Sequence, residues 1–86
     1  MQLPDEVTNE VRTRLRRVAG QVEGVERMLA ECREVLAQLS AATKALEQAA
    51  FRLVAAGLTY CLEYPAEAEA NGDGVEAVQK MFMKLA

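Results

Sequence analysis

The chain contains no histidine and no tryptophan, and only two of its 86 residues are cysteine. Without histidine, the protein lacks the most common general base of enzymes and the usual partner in a catalytic triad. It also lacks the commonest protein ligand for zinc, nickel and copper(II). No phosphate-binding glycine loop is present. We therefore predict that the protein is not an enzyme and needs no cofactor.

Long hydrophobic runs are also absent. No apolar stretch approaches the roughly 20 residues that a membrane-spanning helix needs. The first ten residues, MQLPDEVTNE, have neither the basic nor the apolar segment of a signal peptide. The sequence therefore predicts a cytoplasmic protein whose residues 1–86 form a single domain. The two cysteines are not expected to form a permanent disulfide, because that compartment reduces it.

Apolar residues recur at alternating steps of four and three from Val11 to Cys61, which is the period of an α-helix. A single helix of that length would measure about 80 Å, so we predict a break within residues 31–34. Two long helices, at about residues 8–30 and 33–63, would then form a hairpin. The apolar residues are mostly Ala, Leu and Val, with few bulky anchors. We expect a second subunit to complete so small a core.

The second helix is predicted to end near Tyr64 and Pro65, because proline cannot continue a helix and disfavours helix in the residue before it. The following segment, PAEAEANGDG, is predicted to be a polar connector. A short final helix is expected after it, with one apolar face formed by Val75, Val78, Met81, Phe82 and Leu85.

The first helix gathers four arginines within six residues, in a chain whose net charge is −3. On a helical wheel, Arg14, Arg17 and Gln21 lie opposite the apolar stripe, and Arg12 and Arg16 flank it. Such a run is either a solvated face or a contact surface for DNA. Arginine favours DNA because its guanidinium pairs with phosphate in a fixed fork geometry, and glutamine donates to phosphate or base edges. One chain offers few contacts, so DNA binding would require a symmetric oligomer.

The two thiols, Cys32 and Cys61, are 29 residues apart, which is about 44 Å along one helix. They cannot react together within one subunit. If two copies of the helix pair antiparallel about a two-fold axis near Leu46 and Glu47, Cys32 faces Cys61 of the partner subunit. Cys32 would lie near a helix N-terminus beside Arg33, where the positive potential favours the reactive thiolate. Such a pair could bind Cu(I), or be joined by oxidation or by sulfur insertion.

Several segments of the chain resemble one bacterial family. They are RLRRVAGQVEGVERMLAE, then Cys32, VLAQLSAATKALEQAAFRL and the YC that ends at Cys61. The RLRR-x-x-GQ and Q-x-SAA-x-x-AL blocks are similar to those of the CsoR/RcnR/FrmR transcriptional repressors. The resemblance implies a three-helix protomer with a long hairpin, an antiparallel four-helix-bundle dimer and a dimer-of-dimers tetramer. It also implies binding to operator DNA without inducer and release when the inducer binds.

The DNA-contacting positions of that family correspond best to Arg14 and Arg17. Gln21, one turn further along the helix, is the next candidate. Further candidates for DNA contacts are Arg12, Arg16, Lys44 and Arg52.

Copper sensors of the family use a Cys–His–Cys ligand set, with the histidine four residues before the second cysteine. That position is Gly57 here, and the tyrosine that precedes the first cysteine is replaced by Glu31. A chain with two cysteines and no histidine most resembles the CstR branch, the CsoR-like sulfurtransferase repressors. These respond to persulfide or polysulfide by linking the two cysteines of neighbouring subunits.

We therefore predict a cytoplasmic homotetrameric repressor of sulfide and persulfide detoxification genes, with Cys32 and Cys61 as sensor thiols. One alternative is a Cu(I) sensor in which the same two thiolates form the site. The other is a helical oligomerisation module with no role in DNA binding.

Overall fold

The computed structural model describes residues 2–85, which contain four α-helices and no strand. The helices are α1 (Asp5–Arg27), α2 (Cys32–Glu63), α3 (Pro65–Ala70) and α4 (Val75–Leu85). The predicted all-α class is confirmed. The predicted three-helix protomer is wrong by one short helix, because α3 occupies most of the segment expected to be a connector.

The formation of α3 follows from its sequence, PAEAEA. Proline is favoured in the first turn of a helix, and alanine and glutamate are strong helix formers. Ala68 is fully buried against neighbouring helices, which anchors the segment. Only residues 71–74 remain as a turn, where Gly72 adopts a left-handed conformation with φ of 75°. The polar character of this segment reflects its exposed face.

The turn between α1 and α2 comprises residues 28–31, so the predicted break at residues 31–34 lies a few residues too late. The amide of Glu31 donates to the carbonyl of Met28 at 3.0 Å, and the amide of Val35 donates to the carbonyl of Glu31 at 3.0 Å. The polar residues that suggested a loop form the first turn of α2. This turn lies at the exposed tip of the hairpin, where polar side chains are compatible with a helix.

The first helix begins at Asp5, about one turn before the predicted start at Thr8. Pro4 precedes it, and its carbonyl accepts a hydrogen bond from the amide of Thr8 at 3.1 Å. Asp5 and Glu6 occupy the first turn, where negative side chains are stabilised by the helix dipole. The second helix ends at Glu63, before Tyr64 and Pro65, as predicted.

The hairpin packs along a seam of small and β-branched residues that recur every seven positions. Buried residues that lie equally far before and after residue 30 face each other across the hairpin. They are Val11, Val18 and Val25 on α1, and Ala49, Ala42 and Val35 on α2. Val11 and Ala49 belong to one buried cluster, which shows the antiparallel register directly. The alanines of α2 allow the two helix backbones to approach closely.

A second cluster holds the C-terminal helices against α2. Cys61, Ala68 and Val78 are buried together, one from each of α2, α3 and α4. The rings of Phe51 and Phe82 also contact each other, with centroids 5.8 Å apart. This packing fixes α4 beside the C-terminal half of α2. None of the helices within residues 2–85 has a stretch long and apolar enough to cross a membrane.

Candidate DNA-binding face and sensor thiols

One side of the hairpin exposes large apolar side chains. Each follows a buried seam residue by four positions, and four residues rotate a helix by about 40° beyond a full turn. In an antiparallel hairpin whose seams face each other, this rotation turns the residues of both helices toward the same side of the hairpin. The six residues therefore share one surface. We call this surface the leucine side; it consists of Leu15, Val22, Leu29, Leu39, Leu46 and Leu53, which are 39–67% exposed.

The buried core, in contrast, contains no side chain larger than valine among the described residues. Leucines are normally among the most buried residues, and isolated exposed ones need no explanation. A continuous apolar surface along both long helices is different, because patches of this kind mark interaction sites. The leucine side therefore has the properties of a surface that another protein covers.

The opposite side of the hairpin carries a polar cluster that we call the arginine side; it consists of Glu10, Arg14, Gln21 and Arg52. Arg14, Gln21 and Arg52 each follow a seam residue by three positions, which rotates them away from the leucine side. Arg52 Nε donates to Glu10 Oε2 at 2.7 Å, which joins α2 to α1. Arg14 Nη2 lies 3.7 Å from Glu10 Oε1. The structure thus brings two predicted DNA contacts, Arg14 and Arg52, to one carboxylate.

Sequence reasoning did not identify Glu10 as part of this site. Its position four residues before Arg14 is a recognised ion-pair spacing on a helix and was the available signal. The pairing with Arg52 depends on the register of the hairpin, which the sequence alone did not supply.

Gln21 is only half-exposed, and its Oε1 atom is buried without a hydrogen-bond partner. The predicted outward stripe of Arg14, Arg17 and Gln21 is therefore unevenly exposed, because Arg17 is exposed whereas Arg14 and Gln21 are only half-exposed. Arg17 lines a shallow groove of about 530 Å³ that runs past Gln21. Two glycines, Gly20 and Gly24, also border this groove.

The remaining predicted cations are exposed but are not gathered at this cluster. Arg12 Nη1 donates to Asn9 Oδ1 at 2.9 Å. Arg16 and Lys44 are exposed, and neither shares a face with the arginine side by helical rotation. Their contacts with DNA remain predictions.

The two thiols differ sharply in accessibility. Cys32 is the first residue of α2 and is exposed. Cys61 is only 3% exposed, packs beneath α3 and α4, and donates from Sγ to the carbonyl oxygen of Asp73 at 3.0 Å. The cysteines lie near opposite ends of one helix and are both free thiols. As predicted, they do not meet within one chain.

The burial of Cys61 was not anticipated from sequence, because it depends on the unpredicted helix α3. Gly57, which lies one turn before Cys61, is also buried. It lines an apolar cavity of about 410 Å³ between α2 and α4, together with Val54 and Val78. Within residues 2–85, no three His, Cys, Asp or Glu side chains are grouped so that they could hold a metal ion.

The sequence of this chain matches one known protein family. Residues 8–85 match the family model described as metal-sensitive transcriptional repressor. The chain belongs to the metal-sensitive transcriptional repressor family. The predicted resemblance is thus confirmed at the level of the family.

Two curated proteins resemble this chain. RicR, a copper-sensing transcriptional repressor of Mycobacterium tuberculosis, is 48% identical over 52 residues, which cover 57% of this chain and 54% of RicR. CsoR, a copper-sensing transcriptional repressor of Bacillus subtilis, is 32% identical over 81 residues, which cover 91% of this chain and 73% of CsoR. The chain thus spans about half the length of RicR. No solved structure gives a significant match.

Both relatives are described as transcriptional repressors. The predicted repressor class of the chain is supported. The assignment to the persulfide-sensing branch is not confirmed, because both named relatives of this repressor sense copper.

Proposed function

We propose that the chain is a thiol-gated repressor that holds operator DNA and is released when sulfur links Cys32 to Cys61 of the partner subunit. The observation that carries this proposal is the placement of two free thiols near opposite ends of α2 in a chain without histidine. If two copies of this helix pair antiparallel about an axis near Leu46 and Glu47, unlike thiols lie at the same level at each end. Release would permit transcription of genes for sulfide and persulfide detoxification.

The dimer is built by covering the leucine side. When two copies of α2 pair antiparallel about an axis near Leu46 and Glu47, residue numbers on the facing chains sum to a constant. Leu46 then lies level with Glu47 of the partner subunit, and Cys32 with Cys61 of the partner subunit. The exposed apolar side chains support this arrangement, because pairing of the hairpin with its copy in an antiparallel four-helix bundle would bury them. Two dimers would assemble into the tetramer.

The sulfur chemistry proceeds in two thiolate attacks. The thiolate of Cys32 attacks a sulfur of an inorganic polysulfide, which releases a shortened polysulfide and leaves a persulfide on Cys32. The thiolate of Cys61 of the partner subunit then attacks the Cys32 sulfur and expels hydrosulfide, forming a disulfide. Attack on a longer polysulfide chain retains sulfur in the link. The polysulfide is the oxidant in both cases, and its sulfane sulfur is reduced to sulfide.

The exposure of Cys32 favours its reaction first, because a polysulfide reaches this thiol from solvent. Cys61 is buried and donates to the Asp73 carbonyl, so α3 and α4 must move before its sulfur reaches another. The link would therefore displace these C-terminal helices from α2. This displacement couples the thiol reaction to the arrangement of the subunits.

DNA binding is proposed for the arginine side, with Arg17 beside it. Arginine forks suit phosphate, and a tetramer multiplies the few contacts that one chain offers. The chain has a net charge of −3, so attraction to DNA must come from local positive clusters rather than from the whole molecule.

The function is tested by treating the reduced protein with sodium tetrasulfide and measuring intact mass and operator binding in the same samples. We expect covalent dimers with added sulfur atoms to form as DNA binding is lost, and dithiothreitol to reverse both changes. The DNA is a fragment selected from random sequence by repeated binding to the protein. Loss of binding without any sulfur adduct, or adducts without loss of binding, would contradict the proposal.

A second candidate is a Cu(I)-sensing repressor that uses the same two thiolates. The observation that favours it is that RicR and CsoR are both copper-sensing. Thiolates are soft ligands that suit Cu(I), but the position expected for a histidine ligand holds Gly57. An anaerobic Cu(I) titration against a strong chelator separates the candidates. A tight site whose filling abolishes DNA binding would support copper sensing.

Removal of a single proposed phosphate contact provides a test of the DNA face. We expect Arg14→Ala to weaken binding to all DNA sequences and to reduce the slope of log affinity against log salt by about 1 for each protomer in contact. Fluorescence anisotropy over a series of salt concentrations measures this slope. Lys80→Ala is the control, because Lys80 is an exposed cation on α4 that pairs with Glu76. An equal loss in both variants would indicate a general effect of charge and would remove Arg14 from the interface.

A further inference from the structure

The strongest unassigned feature of the molecule is the carboxylate of Glu10, which contacts one arginine on each long helix. It accepts a hydrogen bond from Arg52 Nε and lies beside Arg14 Nη2, at 2.7 and 3.7 Å. The side chains of all three residues are 36–40% exposed. An exposed carboxylate between two arginines contributes little to folding stability, so its position calls for a different explanation.

The atoms involved explain what Glu10 does to Arg52. The carboxylate holds Arg52 through the inner Nε atom, and neither terminal Nη nitrogen makes a hydrogen bond within residues 2–85. The outer fork of the guanidinium therefore remains available to a further partner. Arg14 lies at ion-pair distance from the same carboxylate, beyond hydrogen-bond length. Its donors also remain available.

We infer that Glu10 is a positioning residue that sets the spacing of Arg14 and Arg52, so that the two guanidiniums bind phosphates of a preferred DNA geometry. This inference rests on the proposed DNA-binding function. Phosphate contacts fix the position of a protein on the duplex, and a fixed pair of them responds to the shape of the DNA. Ordered side chains also lose less conformational freedom on binding than free ones.

Glu10 has a second effect of opposite sign. Its negative charge repels the phosphate backbone, which weakens attachment to any DNA. A carboxylate that both orders two arginines and repels phosphate lowers non-specific binding while it retains binding to the matched geometry. The quantity that Glu10 controls is therefore the ratio of specific to non-specific affinity.

The test measures the affinity of the reduced protein for the selected DNA fragment and for a scrambled fragment of the same composition. We expect Glu10→Gln to raise affinity for the scrambled fragment, to lower affinity for the selected one, and to reduce their ratio about tenfold. The control is Glu6→Gln, which removes the same charge one turn earlier on α1, from an exposed residue. We expect this control to leave the ratio unchanged.

A conservative variant of the partner keeps the inference testable if Glu10→Gln folds poorly. Arg52→Lys retains the positive charge but lacks a guanidinium that binds Glu10 and DNA at once. We expect it to reduce the ratio to a similar extent, and the double variant to add little further loss. A ratio that stays constant in Glu10→Gln and Arg52→Lys would overturn the inference. Failure of the unmodified protein to prefer any DNA would instead overturn the proposed function.

Discussion

The substitution Cys32→Ser is expected to leave operator binding intact and to abolish release by polysulfide. Serine closely matches cysteine in shape, and Cys32 is exposed at the start of α2, so no packing is lost. Without the Cys32 thiolate, no persulfide forms at the accessible position, and Cys61 remains covered by α3 and α4. In the unmodified protein we expect tetrasulfide to reduce operator affinity at least about tenfold, a coupling of roughly 1.4 kcal/mol or more.

The measurement is a tetrasulfide titration followed by fluorescence anisotropy with labelled operator DNA. Cys61→Ser serves as the matched variant, because it retains the exposed thiol but lacks its partner. We expect this variant to gain sulfur on Cys32 without forming covalent dimers and without release. If Cys32→Ser leaves the DNA at the same tetrasulfide concentration as the unmodified protein, Cys32 is not the sensor.

The pair of variants also separates two ways in which the switch could operate. If the persulfide alone were sufficient for release, Cys61→Ser would still respond. If the inter-subunit link is required, neither variant responds, although only one of them is modified. The burial of Cys61 favours the second outcome, because forming the link forces α3 and α4 away from α2, whereas a persulfide on exposed Cys32 displaces nothing.

Most of the fold was predictable because its main signal is repetitive. Apolar residues at steps of three and four define two long helices whatever their partner, and Pro65 marks the end of the second one. The position of the turn was less predictable. The polar residues Arg33 and Glu34 belong to the first turn of α2, and they are polar because that turn lies at the exposed tip of the hairpin. The helix α3 was missed because its exposed face is polar and its only fully buried contact is the small residue Ala68.

The candidate site was predictable in composition but not in arrangement. The two cysteines and the arginines of α1 stand out in a sequence with few cysteines and a negative net charge. The bridging role of Glu10 was hidden, because it depends on which residues of α2 lie opposite α1. The burial of Cys61 also could not be predicted, because Asp73 and Val78 contact it only when the chain folds back onto α2 after α3.

The substitution Leu46→Glu is expected to dissociate the oligomer and to abolish DNA binding. Leu46 is 49% exposed near the middle of the leucine side, and the proposed two-fold axis passes beside it and Glu47. The substitution would bury four carboxylates at the axis, two from each chain. Like charges at an interface cost several kcal/mol, and the loss of leucine contact adds about 1 kcal/mol for each chain, because only the exposed half of Leu46 is available for burial. The proposed DNA binding depends on contacts from several protomers, so an isolated protomer would lose it.

Sedimentation equilibrium measures the mass of the assembly, and circular dichroism confirms that the hairpin remains helical. Leu62→Glu is the matched control, because Leu62 lies on the same helix, is 80% exposed and is rotated away from the leucine side. We expect Leu62→Glu to retain the oligomer, DNA binding and the response to tetrasulfide. An unchanged mass for Leu46→Glu would show that the leucine side is not the dimer interface. The thiols of neighbouring subunits would then have no common axis that brings them together, and the proposed sulfur link would fail with the interface.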